Sequence, residues 1–498
     1  PDIWLGDFSV ETTVLPSIFE VSEGVRFSFQ LPSAFTNAAA VKVTGLPAGL
    51  KYNTATHTLE GFPTVQGSFT VTVSATDVAT QTILLTVAAL PAWAQGTFNG
   101  FVEGCGTATL TVTAAGKLSG KVAVNGTNYA FSAASYASGS AEGGFAVSAQ
   151  AKAGKTVLPL SLTVLSASDS GMSTLGCVSG TLNDTLPLVA YRDVWKDEGM
   201  TDVAAGYAGY YTATFPGNAE YGSGYMTFTA DKTGKVKTAG KLADGTAVSL
   251  SGTLIRDENE RLFAVVYAVP AAYKGGDLFG LVELVHPDAG DLYLRALDGE
   301  PFLWSSLNPT ATQEYGAGFA RELGLVGGWY SKKGDLGTYY AGLDLTAGAA
   351  TNAAAPELTV GTVRYESVWW NPTGIALTPT LKAGALAGLT APAAGKPTDT
   401  DKDGEWDYSA TNSVGLKISL ARPTGIFKGS FLAWFDYSGK HVSKSLSFEG
   451  ALTPVREDTT DGIEGRGFFL WPDAATVPST GKSYKFNWSY DFLLLSGE

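Results

Sequence analysis

Residues 110–132, LTVTAAGKLSGKVAVNGTNYAFS, alternate apolar and polar side chains and are broken only at Ala115-Gly116 and Asn125-Gly126. Period-two alternation sends one set of side chains to a core and the other to solvent, the pattern of a half-buried strand. Asn-Gly suits a two-residue hairpin turn in which both residues take positive φ. The segment therefore predicts three short antiparallel strands. The same pattern returns at residues 226–252, MTFTADKTGKVKTAGKLADGTAVSLSG, with Asp244-Gly245 at the matching corner. Two copies of one hairpin order predict an all-β chain with duplicated antiparallel β-barrel or β-sandwich domains.

A chain of 498 residues is too long for one ordinary core, so several domains are expected. The 60 glycines follow no collagen period and fall at turn positions, which suits many short strands. A net charge of -14 offers no basic footprint for nucleic acid. No apolar run is long enough for a membrane-spanning helix. The chain opens at Pro1 inside a segment that reads as folded, which suggests a processed precursor. Cys105 and Cys177 are expected to form a disulfide, in keeping with an extracellular composition. Its loop would span 72 residues (177 − 105), for which chain entropy allows roughly 4 kcal/mol.

Four units follow in order. Residues 1–90 hold strand-like runs at 25–31, 40–44, 69–75 and 82–87, with Gly45-Leu46-Pro47-Ala48-Gly49-Leu50 and Leu59-Glu60-Gly61-Phe62-Pro63 between them. Gly67-Ser68-Phe69-Thr70-Val71-Thr72-Val73 then leads to Ala75-Thr76-Asp77. Strands joined by Pro/Gly corners are the pattern of a sandwich. These steps resemble the Ig, or cadherin-like, domain of bacterial surface proteins. The resemblance implies an Ig-like β-sandwich used as a spacer or adhesion module. Cadherin relatives hold calcium between domains, but Asp77 alone matches that pattern and reads better as a turn residue.

Residues 91–200 form the first β-repeat and 201–320 the second, each ending near a tryptophan, Trp195 and Trp304. Residues 321–498 read as a diverged β-domain carrying an insertion, with a final aromatic strand at 483–495. Residues 484–495, or 3–10, are candidates for pairing with a neighbouring subunit's sheet edge.

Three constellations invite chemistry. Asp399, Asp401, Asp403, Glu405 and Asp407, with Gly404 at the bend, place oxygen ligands at alternate positions, as a hard cation requires. The run resembles the Asp-rich calcium loops of thrombospondin type 3 repeats, dockerins and EF-hands. Ala410 stands where an EF-hand has its bidentate Glu, so a standard EF-hand is excluded. The resemblance implies a structural calcium ion. Trp369 and Trp370 are candidates for a sugar-stacking platform, although adjacent strand residues face opposite ways.

Catalytic signals are weak. His57, His286 and His441 are isolated in sequence, and no nucleophile elbow or phosphate loop is evident. Glu283 and Glu449 lie in strand patterns and represent the paired carboxylates of a glycosidase only if both turn inward.

These features predict a non-enzymatic extracellular or cell-surface protein with a structural or adhesive role, such as a filament or surface-layer subunit. Its expected partners are further copies or neighbouring surface proteins. A carbohydrate-binding surface protein is the alternative, and a glycoside-active enzyme stands third.

Overall fold

The computed structural model describes Leu15 and residues 18–140, 143–167, 175–218, 221–273, 275–286, 292–306, 318–330, 345–348, 374–382, 385–402, 406–407, 411–437, 440–453, 463–476 and 483–496, with short strands at 359–360, 363–364 and 368–369. The architecture is all-β. Among the described residues the α-helices are Ser33–Thr36 and Met200–Gly206, and no helix is long and apolar enough to cross a membrane. The chain forms two compact units, residues 1–103 with 107–194 and 257–259, and residues 104–106 with 195–256 and 260–498.

The first unit opens with a sandwich. One sheet orders Ile18–Ser22, Val78–Ala88, Gly67–Ala75 and Lys42–Thr44, and the other orders Phe27–Gln30, Thr58–Gly61 and Leu50–Asn53. Phe35, Val71, Val73, Ile83 and Leu85 fill the space between them. Asp77 takes φ 60° in the hairpin between the two longest strands, the turn position its sequence suggested.

A meander of eight main strands follows, Gly96–Val102, Gly106–Val112, Leu118–Val124, Thr127–Ala133, Gly144–Ala153, Thr156–Ser166, Gly176–Leu182 and Leu186–Arg192, with the short strand Ser138–Ser140 added beside the fifth. The eighth strand pairs with the first, and the fourth meets the fifth at Ala130 and Lys152, so the sheet closes into a barrel. Closure removes the exposed edges that would otherwise recruit other chains. Inward side chains such as Phe98, Leu110, Val122, Phe145, Leu162 and Val178 are buried. Thr109, Thr111, Lys121, Asn128, Ser132 and Ser161 are exposed on the outer face. A lipid-facing barrel would carry an apolar band there instead.

Sandwich and barrel are joined within this unit by a parallel bridge between Val25 and Tyr136. Arg26 N–H donates to the Tyr136 carbonyl at 3.0 Å, and Tyr136 N–H donates to the Gly24 carbonyl at 2.9 Å. Trp93, just after the connecting segment, stacks on Phe145 at 5.6 Å and carries the chain into the barrel core.

The second unit holds two more sheets of the same order. Its first runs Gly209–Phe215, Gly224–Ala230, Lys235–Lys241, Ala247–Thr253, Leu262–Ala268, Leu278–Val285 and Tyr293–Ala296. Val326–Trp329 comes last and pairs back onto the first strand. This completing strand lies beyond residue 320, where the sequence suggested the repeat would stop. A hairpin of Phe302–Ser306 and Phe319–Leu323 is inserted before it.

The third sheet follows the chain through Leu345–Gly348, Ile375–Lys382, Ala385–Thr390, Lys417–Ala421, Ile426–Tyr437, Lys440–Leu452, Ile463–Thr476 and Ser483–Ser496. Its last strand again pairs with its first. All three sheets therefore contain an eight-strand meander in which strand eight returns to strand one, with Ser138–Ser140, Ile255–Arg256 and Val368–Trp369 as short additional strands. In the second and third the remaining seam is not hydrogen-bonded among the described residues. Phe427, Phe431, Phe448, Phe469 and Phe492 fill the third barrel, with Phe448 and Phe492 stacked at 3.7 Å.

Two expectations change here. Residues 484–495 are not a free strand, because Ser483–Ser496 pairs along its length with Ile463–Thr476 and at its end with Leu345–Gly348. The other candidate, residues 3–10, lies outside the described residues. Cys105 and Cys177 are free thiols, so the expected disulfide is absent. Cys177 sits in a strand between Leu165 and Tyr191 on the neighbouring strands. Burial first, then the charge of Glu258, pushes its thiol up to about 11. Burial, and then Asp277, raises Cys105 likewise. Both thiols hold their protons at neutral pH, whereas disulfide exchange needs a thiolate.

Candidate functional site

The Asp-rich segment is pinched at its base, where Thr398 and Asp407 form an antiparallel bridge through N–H···O contacts of 3.2 and 2.7 Å. Lys402 takes φ 62° to turn the loop. Asp401 and Asp407 are exposed, while Asp399 is half-buried and its Oδ1 has no hydrogen-bond partner. Such a buried oxygen is the kind of group a cation would satisfy. Asp403 and Glu405 lie outside the described residues. Among the described residues, no group of three or more His, Cys, Asp or Glu is placed to hold a metal ion.

Trp406 rises from the same loop and stacks on His441 at 4.2 Å with the rings 12° apart. His441 also lies 5.2 Å from Trp434 with the rings 5° apart. Trp434 faces Ser443 and Asp436 faces His441 in the hairpin register, so Trp434 and His441 are diagonal neighbours on one face of that hairpin. The outer Trp406 remains 38% exposed. The aromatic cluster among the described residues is Trp406, His441 and Trp434. Trp369 lies opposite Trp434 in the short strand Val368–Trp369, and its side chain and the whole of Trp370 lie outside the described residues. Trp406 was legible only as part of the acidic run, and nothing local in the sequence ties it to His441 or Trp434.

The two strand carboxylates have structural partners. Glu283 is buried, and Arg295 Nε donates to it at 2.8 Å across the strand pair. Glu449 accepts from Lys241 Nζ at 2.5 Å and from Tyr225 Oη at 2.9 Å. His57 holds φ 53° in the sandwich hairpin, where its Nδ1 lies 2.6 Å from Tyr52 Oη. His286 packs edge-on against Tyr207.

Glu449 belongs to a larger polar junction between the second and third barrels, both within the second unit. Thr212 Oγ1 donates to the Leu452 carbonyl at 2.5 Å, and Tyr210 Oη donates to the Thr424 carbonyl at 3.0 Å. Ser489 Oγ donates to the Ala243 carbonyl at 2.6 Å and accepts from Gly222 N–H at 3.1 Å. Ser223 N–H donates to Asp491 Oδ1 at 3.0 Å. Tyr225, Ala451 and Phe468 close an apolar patch beside these bonds. This is why Thr212 and Thr214, on the outer face of strand Gly209–Phe215, are fully buried, whereas Thr97, Asn99 and Phe101 at the corresponding positions of the first barrel are half-buried.

A second buried chain links a turn of the second barrel to the inserted hairpin. Trp304 Nε1 donates to Tyr273 Oη at 2.9 Å, and Tyr273 Oη donates to Asp244 Oδ2 at 2.9 Å. The other oxygen of Asp244 accepts from Thr246 N–H at 2.9 Å. Burial raises the Asp244 carboxyl above its ordinary range, against the pull of those bonds.

Residues 10–89 match the Putative Ig domain family. That span is the sandwich, so the Ig-like reading of the first segment stands. No curated protein matches the chain.

Proposed function

We propose that this is a non-enzymatic extracellular protein with a structural or adhesive role at a cell surface, built as an Ig-like module followed by three barrels. The observation that carries the reading is that the described barrel interiors are occupied by their own side chains, Phe98 to Val178 in the first and the phenylalanine cluster in the third. Ligand sites are ordinarily concave clefts, and a filled barrel offers only its outer surface and loops. The strand carboxylates Glu283 and Glu449 support the same reading, since each is engaged by a neighbouring cation. Partners would be further copies of the chain or neighbouring surface proteins. The test is sedimentation and electron microscopy of the purified chain over a wide concentration range, with attachment of coated beads to cells or matrix. Concentration-dependent assembly or attachment supports the role; monomers throughout together with inert beads would remove it.

The Trp406–His441–Trp434 stack favours a second reading, carbohydrate binding at the outer face of Trp406. Glycan-array binding lost in Trp406→Ala supports it, and an array without signal rejects it. Within either reading, the loop carrying Asp399, Asp401 and Asp407, with Asp403 and Glu405 completing its acidic run, would hold a structural calcium ion. Calcium should then raise the melting temperature in a manner abolished by Asp401→Ala.

A further inference from the structure

The face that the third barrel turns toward the second is a short grid. Glu449, Phe468 and Asp491 are direct cross-strand partners and so share one face of three adjacent strands. Each meets the second barrel differently. Glu449 takes Lys241 and Tyr225, and Phe468 joins the apolar patch with Tyr225. Asp491 takes the backbone N–H of Ser223.

Asp491 is the unusual member. It is only 5% exposed, and the partner it takes across the junction is a backbone N–H. Its other stabilising contacts are the Ser223 hydroxyl and the N–H of Phe492, and the charge of Arg466 on the adjacent strand also favours the carboxylate. At the same junction Glu449 pairs with Lys241 and accepts from Tyr225 Oη, and Asp244 follows the Ala243 carbonyl that accepts from Ser489. Burial at an interface is costly for a carboxylate in its charged form.

We propose that Asp491 makes the contact between the second and third barrels a proton-tightened latch, firmer in acidic surroundings and looser toward neutral pH. Burial pushes its carboxyl up to about 6, against an ordinary value of 3.8. The closed junction therefore binds a proton more readily than the open one across that interval. Lowering the pH through 6 favours closure, and the gain is complete below the open-state value. Ser223 N–H continues to donate to one oxygen while the other carries the proton.

Amide exchange at Ser223 in the full chain, corrected for intrinsic rates, tests this. Protection should rise ~tenfold from pH 7.5 to pH 5 in the wild type. Asp491→Asn should show high protection with no pH slope, and Glu449→Gln should keep the wild-type slope. A flat wild-type profile, an unchanged slope in Asp491→Asn, or a slope abolished by Glu449→Gln would overturn the proposal. If Asp491→Asn does not fold, the carboxyl carbon shift of Asp491 in the wild type decides. A midpoint near 6 supports the latch, and one near 4 rejects it.

Discussion

Asn125-Gly126 joins the third and fourth strands of the first barrel, and Asp244-Gly245 joins the third and fourth strands of the second. The two corners occupy one place in one meander, yet they are built on different physics. Asn125 and Gly126 take φ 49° and 74°, the paired left-handed conformation of a two-residue turn, and Gly126 and Thr127 are exposed at the tip. In the second corner only Gly245 has positive φ, at 85°. Leu242 and Thr246 close a three-residue loop instead, and Asp244 turns its carboxyl inward to Tyr273. The first corner depends on backbone conformation, whereas the second depends on a buried side chain. Turn signatures in a sequence therefore report that a corner exists, while its stability comes from whatever the side chain reaches.

The contrast can be broken at several points. Asp244→Ala should have the largest effect, about 3 kcal/mol in denaturant unfolding of the second unit, because Tyr273 Oη and Thr246 N–H lose a buried acceptor. Gly234→Ala should cost about 2 kcal/mol by the same measurement: its φ is 72°, and an added Cβ would lie 2.4 Å from the Trp195 ring. Trp304→Phe should cost about 1 kcal/mol, since one hydrogen bond is lost while Tyr273 still reaches Asp244. Gly126→Ala should cost about 1 kcal/mol through its positive φ alone. Asn125→Gly should stay within about 0.5 kcal/mol of the wild type, as no buried partner is lost. Losses at Asn125 equal to those at Asp244 would erase the distinction.

The same contrast has a pH signature. Burial raises the folded-state value of Asp244 above its unfolded value, so the folded second barrel binds the additional proton. Stability of the second unit should rise as pH falls through the folded value, and Asp244→Asn should flatten that part of the profile. The exposed first corner carries no such group.

Much of the fold was legible because its signals are local. Alternation at residues 110–132 and 226–252 marked the hairpins, and the Pro/Gly steps of residues 45–63 marked the sandwich. Other elements carry no local signal. Val326–Trp329 reads VGGW, too short for alternation, so it was placed with the following unit although it completes the second barrel. The third meander has its first strand at Leu345–Gly348 and its second at Ile375–Lys382, so its pattern is legible in the later strands of residues 321–498 rather than at its start. The disulfide inference failed because cysteine count and composition carry no geometry. The junction was invisible for a related reason, since Ser223 and Asp491 lie 268 residues apart. The acidic loop was legible by spacing, but the stacking of Trp406 on His441 depends on a hairpin register that pattern alone does not fix.

Native-state hydrogen exchange on the intact chain tests most directly the claim that meanders of one strand order are secured differently at equivalent corners. The account predicts strong protection for the strands of residues 118–133 and 235–253 alike, with fast exchange at the Asn125-Gly126 tip and slow exchange at Thr246. Weak protection along either set of strands, or equally fast exchange at both tips, would contradict it.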